Sequence, residues 1–133
     1  GHQALEAGPE IVGVAVSRKD EGYEGRCAAL ANASLAWLGS DVRMTADDFT
    51  VDRGYFEPGY EQPNEAANEA IRLLARTEGL LTDPVYTGKA LAGLLDHIRT
   101  GKIRSGETVV FWHTGGATAL FAEQAILGNL ADK

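Results

Sequence analysis

The chain has 133 residues, a net charge of -7 and a hydrophobic content of 44%. We expect residues 1–133 to form a single domain, because this length allows one hydrophobic core. The acidic balance disfavours nucleic acid and anionic membranes, which bind clustered lysine and arginine. The single cysteine, Cys27, excludes an intrachain disulfide and a multi-thiolate metal site. We therefore expect no bound metal and a reducing, cytoplasmic environment.

The first elements in chain order favour an α/β fold. Residues 3–8 are typical of the last turns of a helix ending at Gly8, which leads us to expect a missing upstream portion. The β-branched run at residues 10–17 predicts a strand covered on both faces of a parallel sheet. Residues 21–38 predict a helix with Cys27, a small buried side chain, and Leu38 on its core face.

The later elements continue the alternation of strands and helices. Residues 44–56 predict a short strand that enters a loop, and a helix follows from Asn64 to Gly79. An amphipathic helix spans about residues 88–100. No apolar run approaches the roughly 20 residues of a membrane span.

The last predicted elements surround a glycine pair. Residues 108–112 predict a buried strand that stops at Gly115-Gly116, and an apolar helix follows over residues 117–127. The whole order predicts part of a doubly wound, mostly parallel sheet with flanking helices.

Two loops stand out as candidates for a site, because each lies between an extended segment and a helix. In open α/β sheets, ligands bind where strands end, so we expect Tyr86, Thr87 and Thr114 to converge on one crevice. A third loop, with Tyr60, is placed to close it. The backbone N–H groups after Gly115 have no acceptor within the first helical turn, so they can bind an anion or a polar ring edge. A glycine pair between a strand and a helix is, however, often only a tight turn.

The side chains of these loops offer proton transfer and neutral hydrogen bonding. Tyr86 carries a phenol that can donate or relay a proton, whereas Thr87 and Thr114 carry neutral hydroxyls. The alternative for Tyr86 is a half-buried structural tyrosine.

Other polar residues receive structural interpretations. We expect Lys89 to be a solvated lysine of the first helical turn rather than an anion ligand or a Schiff-base amine. His113 is expected to be a hydrogen-bonded structural histidine, and His97 to lie at the surface. Glu65 and Glu69 are expected on a solvated face.

Read together, three motifs resemble one known family. They are Pro-Gly-Tyr at residues 58–60 with Pro-Asn-Glu at 63–65, Asp-Pro-Val-Tyr-Thr-Gly-Lys at 83–89, and His-Thr-Gly-Gly at 113–116. Their order is similar to that of the D-cysteine desulfhydrase and aminocyclopropane-carboxylate deaminase group of pyridoxal-phosphate enzymes, which have the tryptophan-synthase-β-like fold (fold type II). The resemblance implies pyridoxal 5'-phosphate as cofactor, a small amino acid as substrate and a homodimer.

The resemblance also implies roles for individual residues. Tyr86 is similar to the family's active-site tyrosine, and Tyr60 to a second aromatic residue at the pocket mouth. Thr114 or Thr87 is similar to the partner of the cofactor's ring nitrogen, with Gly115 beside it. The family's Schiff-base lysine and phosphate loop lie upstream of the matched region, so this chain is expected to be a carboxyl-terminal portion. It would supply one wall of the cofactor site and be inactive alone.

Two positions separate the subfamilies. The deaminases typically carry Glu at the position of Thr87 and Leu at that of Thr114, whereas the desulfhydrases resemble this chain at both. The resemblance thus implies β-elimination from D-cysteine or a similar amino acid, giving pyruvate and ammonia. Thr118 stands where the family commonly has Pro, so cysteate lyase and deaminase activities stay open. A non-catalytic α/β module that binds a small anion or a protein partner is the alternative of another class.

Overall fold

The computed structural model describes residues 8–122 and has an α/β architecture. Strands β1 (Val12–Val14) and β2 (Thr50–Asp52) form a two-stranded parallel sheet with Gly13 opposite Val51. Helix α1 (Tyr23–Trp37) connects the two strands, as parallel pairing requires. Helices α2 (Glu65–Glu78) and α3 (Thr87–Arg99) follow. These bounds confirm the α/β class and the order of elements predicted through residue 100.

The limits of α2 follow from its end residues. The Asn64 side chain accepts a hydrogen bond from the Ala67 N–H at 2.8 Å, which satisfies one of the free donors of the first turn. At the other end, Gly79 has a φ of 69°, a left-handed conformation that glycine adopts without a steric cost. The helix therefore begins and ends at the two residues that the sequence indicates, Asn64 and Gly79.

The core lies between α2 and α3. Ala70, Leu91 and Ala92 are buried in one cluster, and small side chains here allow the two helices to approach closely. Gly93 allows α3 to approach the sheet, because a Cβ at this position would lie 3.1 Å from the Tyr55 ring and 3.3 Å from Val14. Helix α3 thus contacts α2 on one side and β1 on another.

The predicted strand over residues 108–112 is wrong. This segment belongs to no helix or sheet, and the side chains of Val110 and Trp112 are exposed. Its apolar sequence indicates burial between neighbouring strands, but within residues 8–122 β1 and β2 pair only with each other. No strand in the described part of the chain lies beside it.

The two predicted helices at the ends of the chain fall largely outside the described residues. Ala117–Ala122 form a 3-10 helix rather than an α-helix, and residues 123–127 lie beyond the described range. The predicted helical turns before Gly8 also lie outside it. None of the helices in residues 8–122 has both the length and the apolar content that a membrane crossing needs.

Helix α1 is less buried than its sequence predicts. Ala28 is buried, but Leu38 is 70% exposed and Cys27 is only half-buried. The expected core position of Leu38 and the full burial of Cys27 are wrong. The described residues contact α1 over a narrow strip, chiefly at the 3-10 turn Ala46–Asp48. Leu30 and Trp37 of this helix are also exposed.

Candidate active site

The predicted loops meet at two tyrosines. The hydroxyl groups of Tyr60 and Tyr86 form a hydrogen bond, and their rings are in edge-to-face contact with centroids 6.0 Å apart. The hydrogen bond to Tyr86 and partial burial both raise the pKa of Tyr60. Tyr60 is therefore a proton donor at neutral pH. One hydroxyl of the pair must accept while the other donates, so one hydrogen is left to point away from the pair.

The backbone of the second loop is held by the carboxylate of Asp83. This buried side chain accepts hydrogen bonds from the backbone N–H groups of Val85, Tyr86 and Thr87, at 2.7–2.8 Å. Burial raises the pKa of Asp83, but these bonds and that of the Thr87 hydroxyl outweigh burial and hold the pKa below its ordinary value. An ionised carboxylate thus fixes the backbone that carries Tyr86.

The same carboxylate packs against the glycine-pair loop. A Cβ on Gly116 would lie 2.8 Å from Asp83 Oδ1, so the two loops touch at this point. His113 Nε2 lies 2.8 Å from the Leu81 carbonyl oxygen, and His113 Nδ1 accepts a hydrogen bond from the Gly115 N–H at 3.1 Å. His113 is hydrogen-bonded as expected, and it contributes a second connection between the loops.

The two candidate threonines occupy different environments. Thr87 is buried, and its hydroxyl donates to Asp83 Oδ1 at 2.6 Å and accepts from the Asp83 N–H at 2.9 Å. Thr114 is exposed, and its hydroxyl has no hydrogen-bond partner within residues 8–122. Within the described part of the chain, Thr114 is the one of the two whose hydroxyl hydrogen is left for another molecule. The structure therefore separates two residues that the sequence left equivalent.

Lys89 is not the solvated residue that its helical position predicts. Its side chain has no exposed area, and the ammonium donates to the carbonyl oxygens of Phe56 at 3.0 Å and Gly59 at 2.6 Å. The prediction is wrong because the loop before α2 covers the first turn of α3, and this contact cannot be read from the apolar pattern of α3 alone. The enclosed amine is also unsuited to a Schiff base.

A second polar cluster lies away from the loops. His97 Nε2 is 2.7 Å from Asp52 Oδ2, and the His97 side chain is only 13% exposed. The expectation of a surface histidine is therefore wrong, because α3 packs beside the end of β2. Burial raises the pKa of Asp52, but bonds from the Gly54 N–H and His97 lower it below its ordinary value. Glu65 is exposed and pairs with Arg72 at 3.3 Å.

Asp83 is the main residue that the sequence interpretation missed. An Asp followed directly by Pro is a frequent start of a helical turn, because the side chain accepts from N–H groups two or three residues later. That pattern is present at residues 83–87.

Comparison with known proteins identifies the family of the chain. The family model described as pyridoxal-phosphate dependent enzyme matches residues 1–115. The chain therefore belongs to the pyridoxal-phosphate-dependent enzymes, and the predicted family is confirmed.

Two curated relatives of the chain are D-cysteine desulfhydrases. A D-cysteine desulfhydrase of Yersinia enterocolitica is 47% identical over 122 residues, which are 92% of this chain and 36% of that protein. A D-cysteine desulfhydrase of Salmonella typhi is 47% identical over 113 residues, 85% of this chain and 34% of that protein. The chain thus spans about a third of the length of the curated relatives it matches.

A solved structure shares the fold. The crystal structure of an ACC deaminase homologue matches with a TM-score of 0.70 and 33% identity, covering 87% of this chain and 34% of that chain. This match confirms the assignment to fold type II.

The described residues fit one side of a pyridoxal-phosphate ring. An unprotonated pyridine nitrogen needs a neutral hydrogen-bond donor, and the exposed Thr114 hydroxyl is such a group. Gly115 leaves open space beside it, since a Cβ at this position would meet no heavy atom of residues 8–122 within 4 Å. Thr114 and Gly115 are therefore the residues that could hold the ring edge.

Proposed function

We propose that this chain supplies one wall of the cofactor site in a pyridoxal-phosphate lyase. The reaction is β-elimination from D-cysteine or a similar β-substituted amino acid, giving pyruvate and ammonia. In this proposal an upstream portion carries the Schiff-base lysine and the phosphate loop, and the chain alone is inactive. The family and the activity for which the relatives are named support the class of reaction.

The observation that carries the proposal is the meeting of Tyr60 and Tyr86. The two residues are 26 positions apart in sequence, yet their hydroxyls form one hydrogen-bonded pair at an exposed edge. A neutral pair with one free hydrogen can orient a substrate carboxylate or deliver a proton to a leaving group. These are the roles that an elimination reaction requires of the protein.

Thr114 is proposed to bind the ring nitrogen. When bound, pyridoxal phosphate withdraws electrons from the substrate Cα as its bond to hydrogen breaks. A neutral hydroxyl at the ring nitrogen moderates that withdrawal, which favours elimination over longer-lived carbanion chemistry. Thr87 stays the second candidate, although its hydroxyl hydrogen bonds to Asp83 in this structure.

The test uses the protein as its gene encodes it, supplied with pyridoxal phosphate. We expect release of pyruvate and sulfide from D-cysteine, and much slower release from L-cysteine. Thr114→Leu should lower kcat/KM for D-cysteine by about 10–100-fold, because one hydrogen bond to the cofactor is lost. Thr114→Ser keeps the hydroxyl and should therefore keep most of the wild-type kcat/KM. Equal activity of the Leu and wild-type proteins would remove Thr114 from the site.

The alternative activities are separated by substrate. The structural match to an ACC deaminase homologue favours testing 1-aminocyclopropane-1-carboxylate, whose deamination gives 2-oxobutanoate. Cysteate tests a lyase with sulfite as leaving group. Turnover of either compound in preference to D-cysteine would replace the proposed substrate while keeping the cofactor. Absence of any pyridoxal-phosphate-dependent turnover would favour a non-catalytic module.

We further propose a homodimer, as the resemblance implies, located in the reducing cytoplasm that the single cysteine indicates. Sedimentation of the purified protein tests the oligomeric state directly. A monomer at micromolar concentration would contradict that part of the proposal.

A further inference from the structure

We propose that Lys89 is a positioning residue that holds the Tyr60 loop against α3, so that Tyr60 meets Tyr86. The inference rests on the proposed function only in treating these tyrosines as active-site residues. The loop in question, residues 56–60, is called the Tyr60 loop below.

The contacts of Lys89 are made to the backbone of this loop. Its ammonium donates to the Phe56 carbonyl, 33 positions earlier, and to the Gly59 carbonyl, 30 positions earlier. Gly59 directly precedes Tyr60, and the 2.6 Å distance to its oxygen fixes the peptide unit that carries Tyr60. Because a buried ammonium without acceptors is costly, these two bonds also hold the lysine in place.

Helix α3 thus contacts the Tyr60 loop twice from its first turn. Tyr86, at the start of the helix, meets the Tyr60 side chain, and Lys89 meets the backbone before it. The opposite side of the loop is held by Asn64, whose Nδ2 donates to the carbonyls of Tyr55 at 3.2 Å and Glu57 at 2.8 Å. Asn64 fixes the loop to α2, and Tyr55, which precedes the loop, binds Asp96 of α3. Within residues 8–122, Tyr60 itself is held to α3 through Lys89 and the tyrosine pair.

The charge of Lys89 is consistent with this role. Burial lowers the pKa of Lys89, while the carboxylate of nearby Glu57 raises it. An amine that loses its proton keeps two hydrogens, enough to donate to both carbonyls. The positioning contact therefore persists over the pH range in which the tyrosines stay neutral.

The test compares Lys89→Met with Lys102→Met in the protein as its gene encodes it. Methionine keeps the length and apolar stem of lysine but removes the donor, and Lys102 is a 63% exposed lysine beyond the end of α3. The first readout is hydrogen exchange at the Gln62 amide, which donates to the Gly59 carbonyl. We expect exchange about tenfold faster in Lys89→Met, because the loop opens locally, and unchanged exchange in Lys102→Met.

The second readout is the ionisation of tyrosine, followed by the ultraviolet absorbance band that the phenolate has and the neutral phenol lacks. Tyr60→Phe identifies the component that belongs to Tyr60. In Lys89→Met we expect the Tyr60 pKa to fall toward its ordinary value, because the hydrogen bond to Tyr86 is lost. An unchanged Tyr60 component together with unchanged Gln62 exchange would overturn the proposal.

The third readout is a double-mutant cycle on kcat/KM. If Lys89 acts through Tyr60, Lys89→Met lowers kcat/KM by about tenfold in the wild type and by less than about twofold in the Tyr60→Phe background. Independent, multiplying losses would contradict positioning and indicate a general structural role. If Lys89→Met does not fold, Lys89→Gln takes its place, because glutamine keeps a hydrogen-bond donor on a shorter side chain. In all three readouts we expect Lys89→Gln to lie between the wild type and the values expected for Lys89→Met.

Failure of this inference and failure of the proposed function are distinguishable. A protein without pyridoxal-phosphate-dependent activity contradicts the function alone, because exchange and tyrosine ionisation need no cofactor. An active lyase with unaltered Gln62 exchange and Tyr60 ionisation in Lys89→Met contradicts the inference alone.

Discussion

The carboxylate of Asp83 occupies the space into which any side chain at Gly116 would project. A Cβ at Gly116 would lie 2.8 Å from Asp83 Oδ1 and 2.9 Å from its carboxyl carbon, and the glycine has a φ of 86°. Asp83 also organises the backbone that carries Tyr86. The close approach of these two residues therefore couples the loop of the tyrosine pair to the loop of Thr114.

Gly116→Ala should be strongly destabilising for two reasons. A positive φ costs an L-residue about 1–2 kcal/mol, and contact with the buried carboxylate adds about 1–3 kcal/mol. Gly101→Ala is the matched control, because Gly101 has a φ of 76° but a Cβ at this position would meet no heavy atom of the described part of the chain within 4 Å. Urea unfolding should show a larger loss of unfolding free energy for Gly116→Ala. Equal losses would mean that the contact with Asp83 has no energetic effect.

Asp83→Asn should lower stability in a pH-dependent way. The amide keeps one acceptor oxygen where the carboxylate has two, so we expect a loss of about 2 kcal/mol at neutral pH. The folded pKa of Asp83 is below its ordinary value. The stabilisation by its charge is therefore complete above the unfolded pKa and disappears as pH falls through the folded pKa.

Urea midpoints measured from about pH 7 down to about pH 3 check this expectation, because that range reaches below the unfolded pKa of an aspartate. The difference between the wild-type protein and Asp83→Asn should shrink toward acid pH. The exposed Asp41, replaced by Asn, is the control and should change stability little at any pH. A difference that stays constant with pH would show that the charge of Asp83 does not contribute.

Two glycines in helices should respond to alanine in opposite directions. In α3, a Cβ at Gly88 would lie 2.6 Å from the Asp83 carbonyl oxygen and 2.9 Å from Ile71 Cδ1. In α1, a Cβ at Gly25 would meet no heavy atom within 4 Å among residues 8–122. We expect Gly88→Ala to destabilise by about 2 kcal/mol and Gly25→Ala to stabilise by about 0.5–1 kcal/mol. Thermal unfolding of the two variants and the wild type measures these changes in stability. A Gly88→Ala variant more stable than the wild type would contradict the close packing of α3.

The elements with complete local signals were predictable from sequence. Helix α2 has both a capping Asn64 and a terminal Gly79, and α3 has regularly spaced leucines before Gly101. The capping residues and the amphipathic spacing of such helices lie in their own sequence, so both can be recognised without knowing the tertiary contacts. Residues 108–112 carry an equally clear apolar pattern, but a strand needs a neighbouring strand, and pattern alone does not supply one.

The polar contacts were less predictable, since they depend on residues distant in sequence. The burial of Lys89 comes from carbonyls 30 and 33 positions away. The pairing of His97 with Asp52 spans 45 positions. By contrast, Thr87 and Asp83 are only four positions apart, so their contact could be predicted from the sequence as a helix-start motif. The sequence thus indicates the two tyrosines of the candidate site but not the residues that hold them.

Tyr55 should control stability at alkaline pH. Burial, followed by the hydrogen bond from its hydroxyl to Asp96 Oδ2 at 2.5 Å, raises the pKa of Tyr55 to about 12. A raised folded pKa means that its stabilisation is complete below the unfolded pKa of about 10 and is lost as pH rises toward 12. Urea midpoints should therefore decline less between about pH 10 and about pH 12 in Tyr55→Phe than in the wild type. Asp96→Asn should lower the Tyr55 pKa by removing the adjacent charge, and an unchanged pKa would contradict this coupling.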